Sequence, residues 1–303
     1  MVSLISIKKI SIIRKIDKCV LFSGSNSFIF AFLKNFFNYE LIYSIRVNII
    51  LNGKVDASLK KHTFLKLLLI KIQFKFLYFL ESYIVKKSDK IIFQSQINAD
   101  EYKKMYSLDK NKIFILNNNC NPTWIGGEKK LKLKKGFNIG FIGNLHLNKG
   151  VCVILDALKL VKKIKSNCNL TIIGDGPDRI YFENYMNDLS LNDIEFLGQK
   201  KNAFEFMNNF DLIIVPSYME AFPNVVLEAL YYNIPILGSN VGGIPLILNN
   251  SQLFEAGDYK ALSDKILNMF NNDYYEKNLA LIKKIRKKFL FDWGNEFYNI
   301  IKL

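Results

Sequence analysis

Residues Ser217 to Leu230 read SYMEAFPNVVLEAL and set two glutamates, Glu220 and Glu228, eight positions apart across a loop-to-helix junction. The run upstream, Asp211 to Pro216 (DLIIVP), is short, rich in β-branched residues and closed by a proline. It predicts a buried strand, so Glu220 falls in the loop that follows it. Pro223 has a fixed φ and no N–H to lose, which suits the first turn of a helix, and that helix carries Glu228 about one and a half turns in. The first amides of such a helix, on Asn224, Val225 and Val226, have no acceptor within it and face outward, where a phosphate can accept them. A carboxylate is repelled by phosphate, so the two acids are expected to accept hydrogen bonds from hydroxyls. Sugars and riboses supply those.

This segment resembles the Glu-x7-Glu signature of retaining GT-B glycosyltransferases of family 4, closest to the form written EGFPNVLLEAM. The resemblance implies an α/β fold of two Rossmann-like domains facing a cleft. It also implies transfer of a sugar from a nucleotide-diphosphate donor with retention of configuration. By the same resemblance Glu228 holds the ribose hydroxyls and Glu220 contacts the transferred sugar, while the backbone through Phe222, Pro223, Asn224 and Val225 meets the sugar and the diphosphate. Without the surrounding pattern, the two acids read as a solvated loop residue and a surface helix residue.

Three more segments follow in the order this family requires. Phe137 to Gly143 (FNIGFIG) reads as a strand ending in glycine, and Asn144 to Gly150 (NLHLNKG) leads into a helical pattern from Val151 to Lys165. A lysine at a helix N-terminus is disfavoured by the dipole, so Lys149 needs an anionic partner, and a diphosphate oxygen is one. The family carries a Gly-Arg-Leu loop here whose arginine and lysine neutralise the leaving diphosphate. This chain has Asn144 in place of the arginine. An amide donates one neutral hydrogen bond where a guanidinium donates two charged ones, which weakens leaving-group stabilisation by a few kcal/mol, roughly one transition-state donor. Leu170 to Pro177 (LTIIGDGP) and Ile194 to Gly198 (IEFLG) resemble the stretches that line the family's nucleotide pocket, through Gly174 and Gly198. Taken alone, each is equally ordinary turn chemistry after a strand. Ile234 to Gly238 and the glycine turn Ser239 to Pro245 match the next strand, but Leu246 stands where the family commonly has an acid.

The 303 residues suffice for two cores of about 150 each. Lysines interrupt every apolar run, and no stretch reaches the roughly 18 uncharged residues that a spanning helix needs. The opening, MVSLISIKKISIIRK, has charges within its apolar pattern and no small-residue cleavage site, so no signal peptide is expected. Cys19, Cys120, Cys152 and Cys168 are scattered without CxxC spacing, and only His62 and His146 could help them. Neither a zinc site nor a disulfide framework follows, and a cytoplasmic location is the expectation. The two histidines read as structural or solvent-facing. No cofactor or metal is expected, because Lys149 and helix N-termini would neutralise the charge that a metal neutralises elsewhere.

Charge is unevenly spread. Residues 1–136 hold 25 Lys+Arg against 9 Asp+Glu, a net of +16, and residues 137–303 hold 17 against 18, a net of −1. The basic half lacks zinc-finger spacing, an RNP-like aromatic motif or a recognition helix, so nucleic acid is not the expected partner. Anionic phospholipid fits better, with the protein peripheral at the inner face of the plasma membrane. Leu59 to Lys87 reads as a long helix with Lys60, Lys71, Lys75, Ser82 and Lys86 on one side and an apolar arc on the other. A core-packed surface helix with solvated lysines fits the same pattern, and the two readings are compatible.

Before residue 136 the pattern alternates: strands at Cys19–Ser23, Glu40–Ile45, Lys90–Gln94 and Lys112–Asn117, helices at Ser25–Phe37, Leu59–Lys87 and Ile97–Tyr106. That is a parallel sheet. The family's first domain normally opens with more strands and a glycine-rich turn, so residues 1–136 are expected to form an incomplete acceptor-side domain. Residues 137–288 form the nucleotide-sugar-binding domain, and 289–303 the helix that returns to the first domain. Arg46, at the carboxyl end of a predicted strand where the family often has a histidine, is read either as a contact to acceptor or donor phosphate or as a surface arginine. The implied reaction is hexosyl or N-acetylhexosaminyl transfer to a glycan or lipid-linked acceptor in surface polysaccharide synthesis. The alternative is a non-catalytic binding subunit or an inactive remnant. A nicotinamide-binding protein would need GxGxxG after the first strand, and none is present.

Overall fold

The computed structural model describes residues 17–22, 27–46, 48–60, 63–121 and 135–303. The readings made for the first sixteen residues, for Ser23 and Ser25, and for His62 lie outside them. The described residues form two compact units. One takes those of 1–53, 61–117 and 294–303, and the other takes 54–60 and those of 118–293.

In the first unit, strands β1 (Lys18–Phe22), β2 (Glu40–Ile45), β3 (Lys90–Phe93) and β4 (Ile113–Ile115) form one parallel sheet in the order β1-β2-β3-β4. Helices α1 (Ser27–Leu33), α2 (Ile49–Ser58), α3 (Phe64–Lys87) and α4 (Gln96–Tyr106) connect them, α2 counting in this unit only as far as Gly53. β2 and β3 are apolar almost throughout because both of their faces are covered, and Leu41, Ile45, Ile91 and Phe93 are fully buried. Glu81 on α3 is buried among them, accepting from the hydroxyls of Tyr102 (2.9 Å) and Tyr43 (3.3 Å). Burial raises its carboxyl above the usual range.

Two sequence expectations change here. Helix α2 was not anticipated, since Gly53 and short polar residues give it little intrinsic propensity. The long helix starts at Phe64, with Thr63 extended before it (φ −70°, ψ 157°), so Lys60 is not on it.

The second unit holds β5 (Phe137–Ile142), β6 (Cys168–Ile173), β7 (Ile194–Phe196), β8 (Leu212–Val215), β9 (Ile236–Ser239) and β10 (Leu253–Phe254), all parallel, in the order β10-β9-β8-β5-β6-β7. Its helices are α5 (Val151–Val161), α6 (Arg179–Asp188), α7 (Asn224–Tyr231), α8 (Ile244–Ile247), α9 (Tyr259–Asn268) and α10 (Asn272–Arg286). Two apolar layers cover the sheet: one packs around Ile154, Leu158, Leu262 and Ile266 of α5 and α9. The other packs around Val226, Leu230, Ile282 and Ile285 of α7 and α10. Both are parallel α/β sheets, as the sequence implies, and the second reverses its strand order between β5 and β8 as doubly wound sheets do.

By contact, the boundary between the units falls between Asn117 and Asn118. Asn119 Nδ2 donates to the Phe291 carbonyl (2.7 Å) and the Cys120 amide to the Phe289 carbonyl (2.8 Å), which ties this stretch to the second unit. Helix α11 (Trp293–Lys302) belongs, from Gly294 on, to the first unit, where Phe297 stacks on Phe22 with ring centres 6.2 Å apart.

Candidate functional site

The strand order of the second unit makes a crevice. From β5 the chain moves outward through β6 and β7, and it returns beside β5 with β8 before moving the other way. The helices that follow these neighbours, α5 and α7, lie in opposite apolar layers. The loops after β5 and β8 therefore part at the carboxyl ends of the strands, which is where doubly wound sheets bind ligands.

Glycines let neighbouring strand ends approach there. Gly143, Gly174 and Gly198 follow β5, β6 and β7; the Gly143 amide donates to the Ile173 carbonyl and the Gly174 amide to the Gly198 carbonyl, each at 3.0 Å. Gly174 has φ +146°, and a Cβ on it would lie 1.8 Å from the Gly143 carbonyl oxygen. No other residue fits. Gly174 and Gly198, expected in the nucleotide pocket, thus form one continuous rim with Gly143.

Across the crevice, the Tyr218 amide donates to the Asn148 carbonyl at 2.8 Å, joining the loop after β8 to the loop after β5. This brings Lys149 Nζ to 2.6 Å from Glu220 Oε1, and Ser217 Oγ lies 2.8 Å from the same oxygen. The anionic partner that Lys149 needs is, in this structure, Glu220. The sequence placed both residues in the site without anticipating their contact, and Ser217 was missed. The backbone of Glu220 is held as well: its carbonyl accepts the Gly243 amide at 3.1 Å, and a Cβ on Gly242 (φ +51°) would come within 1.7 Å of it. The sequence showed these glycines only as a turn.

Pro223 immediately precedes α7, with φ −74° and ψ 119°, rather than opening it. Of the three amides expected to face outward, that of Val226 is turned back to the Pro223 carbonyl at 3.2 Å. Those of Asn224 and Val225 are the first two of the helix. Phe222 is buried, and its ring packs against Phe289 with centres 6.0 Å apart, so its side chain serves the core. Asn224 is exposed, its Oδ1 accepting from Asn118 Nδ2 at 2.7 Å. Glu228, one turn into α7, is mostly buried, and burial raises its carboxyl to about 7. Among the described residues no donor reaches that carboxylate.

Asn144 is exposed on the loop after β5, its Oδ1 beside Gly176. Asp178 holds the same loop by accepting the Leu147 amide at 3.0 Å. It also lies 3.8 Å from His146 Nδ1 and 3.2 Å from Lys60 Nζ. Asp56, His146 and Asp178 bring ligand atoms within 4.8 Å of one another. The Lys60 ammonium, also 3.5 Å from Asp56, places a cation among them. A proline followed by an acid at a helix start was the signal for Asp178, which the sequence reading, ending its turn at Pro177, missed.

Arg46 sits in the first unit, just after β2, with its guanidinium 5.4 Å from the centre of the Phe22 ring. It is half-buried, and that burial lowers its pKa. Leu246 is exposed on α8.

The family model for glycosyl transferases group 1 matches residues 127–288, more than half of the chain. The chain belongs to this glycosyltransferase family. An uncharacterized glycosyltransferase of Methanocaldococcus jannaschii is 31% identical over 233 residues, which cover 74% of this chain and 62% of that protein. The capsular polysaccharide biosynthesis glycosyltransferase CapM of Staphylococcus aureus is 27% identical over 207 residues, 63% of this chain and 49% of its own length. The chain thus spans about half to three fifths of these relatives. Among solved structures, sucrose-phosphate synthase from Thermosynechococcus elongatus superposes with TM-score 0.80 over 98% of this chain and 76% of that one, at 17% identity. The Anabaena protein HepE in complex with UDP and glucose superposes with TM-score 0.73 over 93% and 76%, at 16% identity. At such identities the likeness establishes the fold, which is that of the GT-B glycosyltransferases.

Proposed function

We propose that this glycosyltransferase moves a hexosyl or N-acetylhexosaminyl group from a nucleotide-diphosphate donor to a glycan or lipid-linked acceptor, with retention, in surface polysaccharide synthesis. The observation that carries the donor site is Glu228. A carboxylate partly withdrawn from water and without a donor keeps its acceptor capacity open to a ligand. It stands one turn from a helix N-terminus on the β8 side of a crevice whose other rim is glycine, and the two hydroxyls of a ribose match it as donors. The diphosphate then meets the Asn224 and Val225 amides and the Lys149 ammonium, of whose three donors Glu220 engages one. Glu220, anchored by Ser217, Lys149 and the glycine turn, accepts from the hydroxyls of the sugar. In the reaction the bond from the anomeric carbon to the phosphate oxygen breaks and the bond to the acceptor oxygen forms on the same face. The acceptor proton goes to the leaving phosphate, and Lys149 stabilises the charge that grows there. This set of groups asks for no metal.

A relative named for capsular polysaccharide biosynthesis supports the surface-polysaccharide setting. A peripheral position at the inner face of the plasma membrane brings the protein to a lipid-linked acceptor. Thermal unfolding with UDP, GDP and ADP tests the donor site: at 100 times its Kd a nucleotide that binds only the folded unit adds about 2.7 kcal/mol. No shift with any of the three at millimolar concentration overturns the reading. Asn144 favours a second reading, a binding subunit that holds a nucleotide sugar without transferring it. A nucleotide-induced shift with neither transfer nor donor hydrolysis would decide for that.

A further inference from the structure

Helix α3 does not bury its apolar arc. Leu65, Leu68, Leu69, Ile72, Phe76 and Phe79 are between 47% and 66% exposed. At 100° per residue these six fall within an arc of about 100°, and from 65 to 79 they run for about 21 Å along the helix. The face turned to the first unit is a different one, carrying Glu81, Ile84 and Val85 in the last turns. Lysines border the outward stripe. Lys71 and Lys75 project along one edge and Lys66 along the other, all exposed. Of the two sequence readings, the core-packed helix fails for this stripe, which faces outward.

A contiguous apolar row of this size on a protein surface marks a docking site. Its charge says what docks. A second copy of the chain would set the lysines of one stripe against those of the other, and the half of the sequence around the stripe carries +16. An anionic bilayer satisfies both features: the acyl boundary takes the apolar row, and the lysines reach to the phosphates on either side. We infer that α3 lies in the plane of an anionic membrane surface and inserts this stripe between the lipid headgroups. The inference rests on the proposed function only for its purpose, which is to bring the protein to a membrane-borne acceptor. Its physical basis is the exposed helix.

The test is sedimentation of the full chain with extruded vesicles of phosphatidylcholine alone or mixed equally with phosphatidylglycerol, without donor or acceptor. The wild type is expected to bind the mixed vesicles at least ~10-fold more tightly than the neutral ones at about 0.15 M salt. The double substitution Ile72→Asp, Phe76→Asp is expected to lose ~100-fold or more of that binding, by removing two anchors and adding charge. Both positions are exposed, so the variant should keep the wild-type melting temperature, and the melt is recorded alongside. Lys66→Glu with Lys71→Glu and Lys75→Glu should reduce binding of mixed vesicles to the level of neutral ones. The inference is overturned if the wild type ignores both vesicles or if the double Asp variant binds as the wild type does. It is also overturned if the wild type forms a dimer that this variant dissociates, which would make a second copy the occupant. Vesicle binding without a nucleotide-induced thermal shift would sink the proposed function and leave this inference standing.

Discussion

The loop after β8 and the outward face of α3 have similar local compositions, apolar residues broken by a few charges, and opposite fates. In the loop Glu220 is fixed by contacts reaching far along the chain: its carboxylate to Lys149 of the loop after β5, and its carbonyl to the Gly243 amide. On α3 between residues 65 and 79 most side chains face outward. The difference is one of topology. A crevice at the carboxyl ends of parallel strands draws several loops together, whereas a helix on the flank of a four-stranded sheet is met from one side only. Chemistry that needs fixed distances belongs in the first place, and adhesion to a deformable partner suits the second.

The largest effect that separates the two regions should come from Gly174→Val. Its Cβ would fall 1.8 Å from the Gly143 carbonyl oxygen, and the residue would have to hold φ +146°. A loss on the order of 4 kcal/mol or more is expected in thermal or denaturant unfolding. A variant as stable as the wild type would mean that the glycine rim is not packed as described.

Next in size, Lys149→Ala should lower the rate of transfer by about 10²–10³, the effect of removing one donor from a developing negative charge. Its stability should change little, because an ion pair that is partly exposed contributes roughly 0–1 kcal/mol. A normal rate would take Lys149 out of the reaction.

Glu228→Ala should weaken nucleotide binding by about 1–3 kcal/mol, as the ribose hydroxyls lose their acceptor. Calorimetry reads this, and unchanged affinity would refute the ribose role. The same carboxyl gives a pH signature. Its pKa is raised from 4.5 to about 7 on folding, so the folded protein holds this proton more tightly than the unfolded chain does. The sign is destabilising: nothing below about pH 4.5, a growing penalty as pH rises through about 7, and a constant one above. Compared with Glu228→Gln, the wild type should lose roughly 1–3 kcal/mol of stability between about pH 5 and pH 8. Nucleotide affinity should rise over the same interval as the carboxylate becomes able to accept from both hydroxyls. Parallel pH profiles for the two proteins would assign the shift to another group.

Asn144→Arg should raise turnover by several-fold up to about tenfold, since a charged fork on this exposed position adds donors toward the leaving diphosphate. A loss of activity would mean that the loop is shaped around the amide. The smallest effect belongs to the other region. Ile72→Asn on the stripe of α3 should shift stability by no more than about 0.5 kcal/mol, as exposed sites do. A larger loss would show that the stripe is covered in solution.

Short-range sequence already carried the residues of the crevice. The buried run before Pro216, the proline before a helix, glycines after strands and two glutamates at a fixed spacing are all local, because strand, turn and helix N-terminus are each specified within a few residues. The alternation of strands and helices fixed two parallel sheets for the same reason. Helix α2 escaped notice because its intrinsic propensity is weak and packing decides it. What the tertiary structure alone decided were pairings across long intervals: Lys149 with Glu220 over 71 positions, Leu147 with Asp178 over 31, Lys60 with Asp178 over still more. It also decided which side of α3 is met by the sheet. A helical pattern tells that a face is apolar, and only the placement of neighbours tells whether that face is inside, since burial is a property of what surrounds a residue and not of the residue itself.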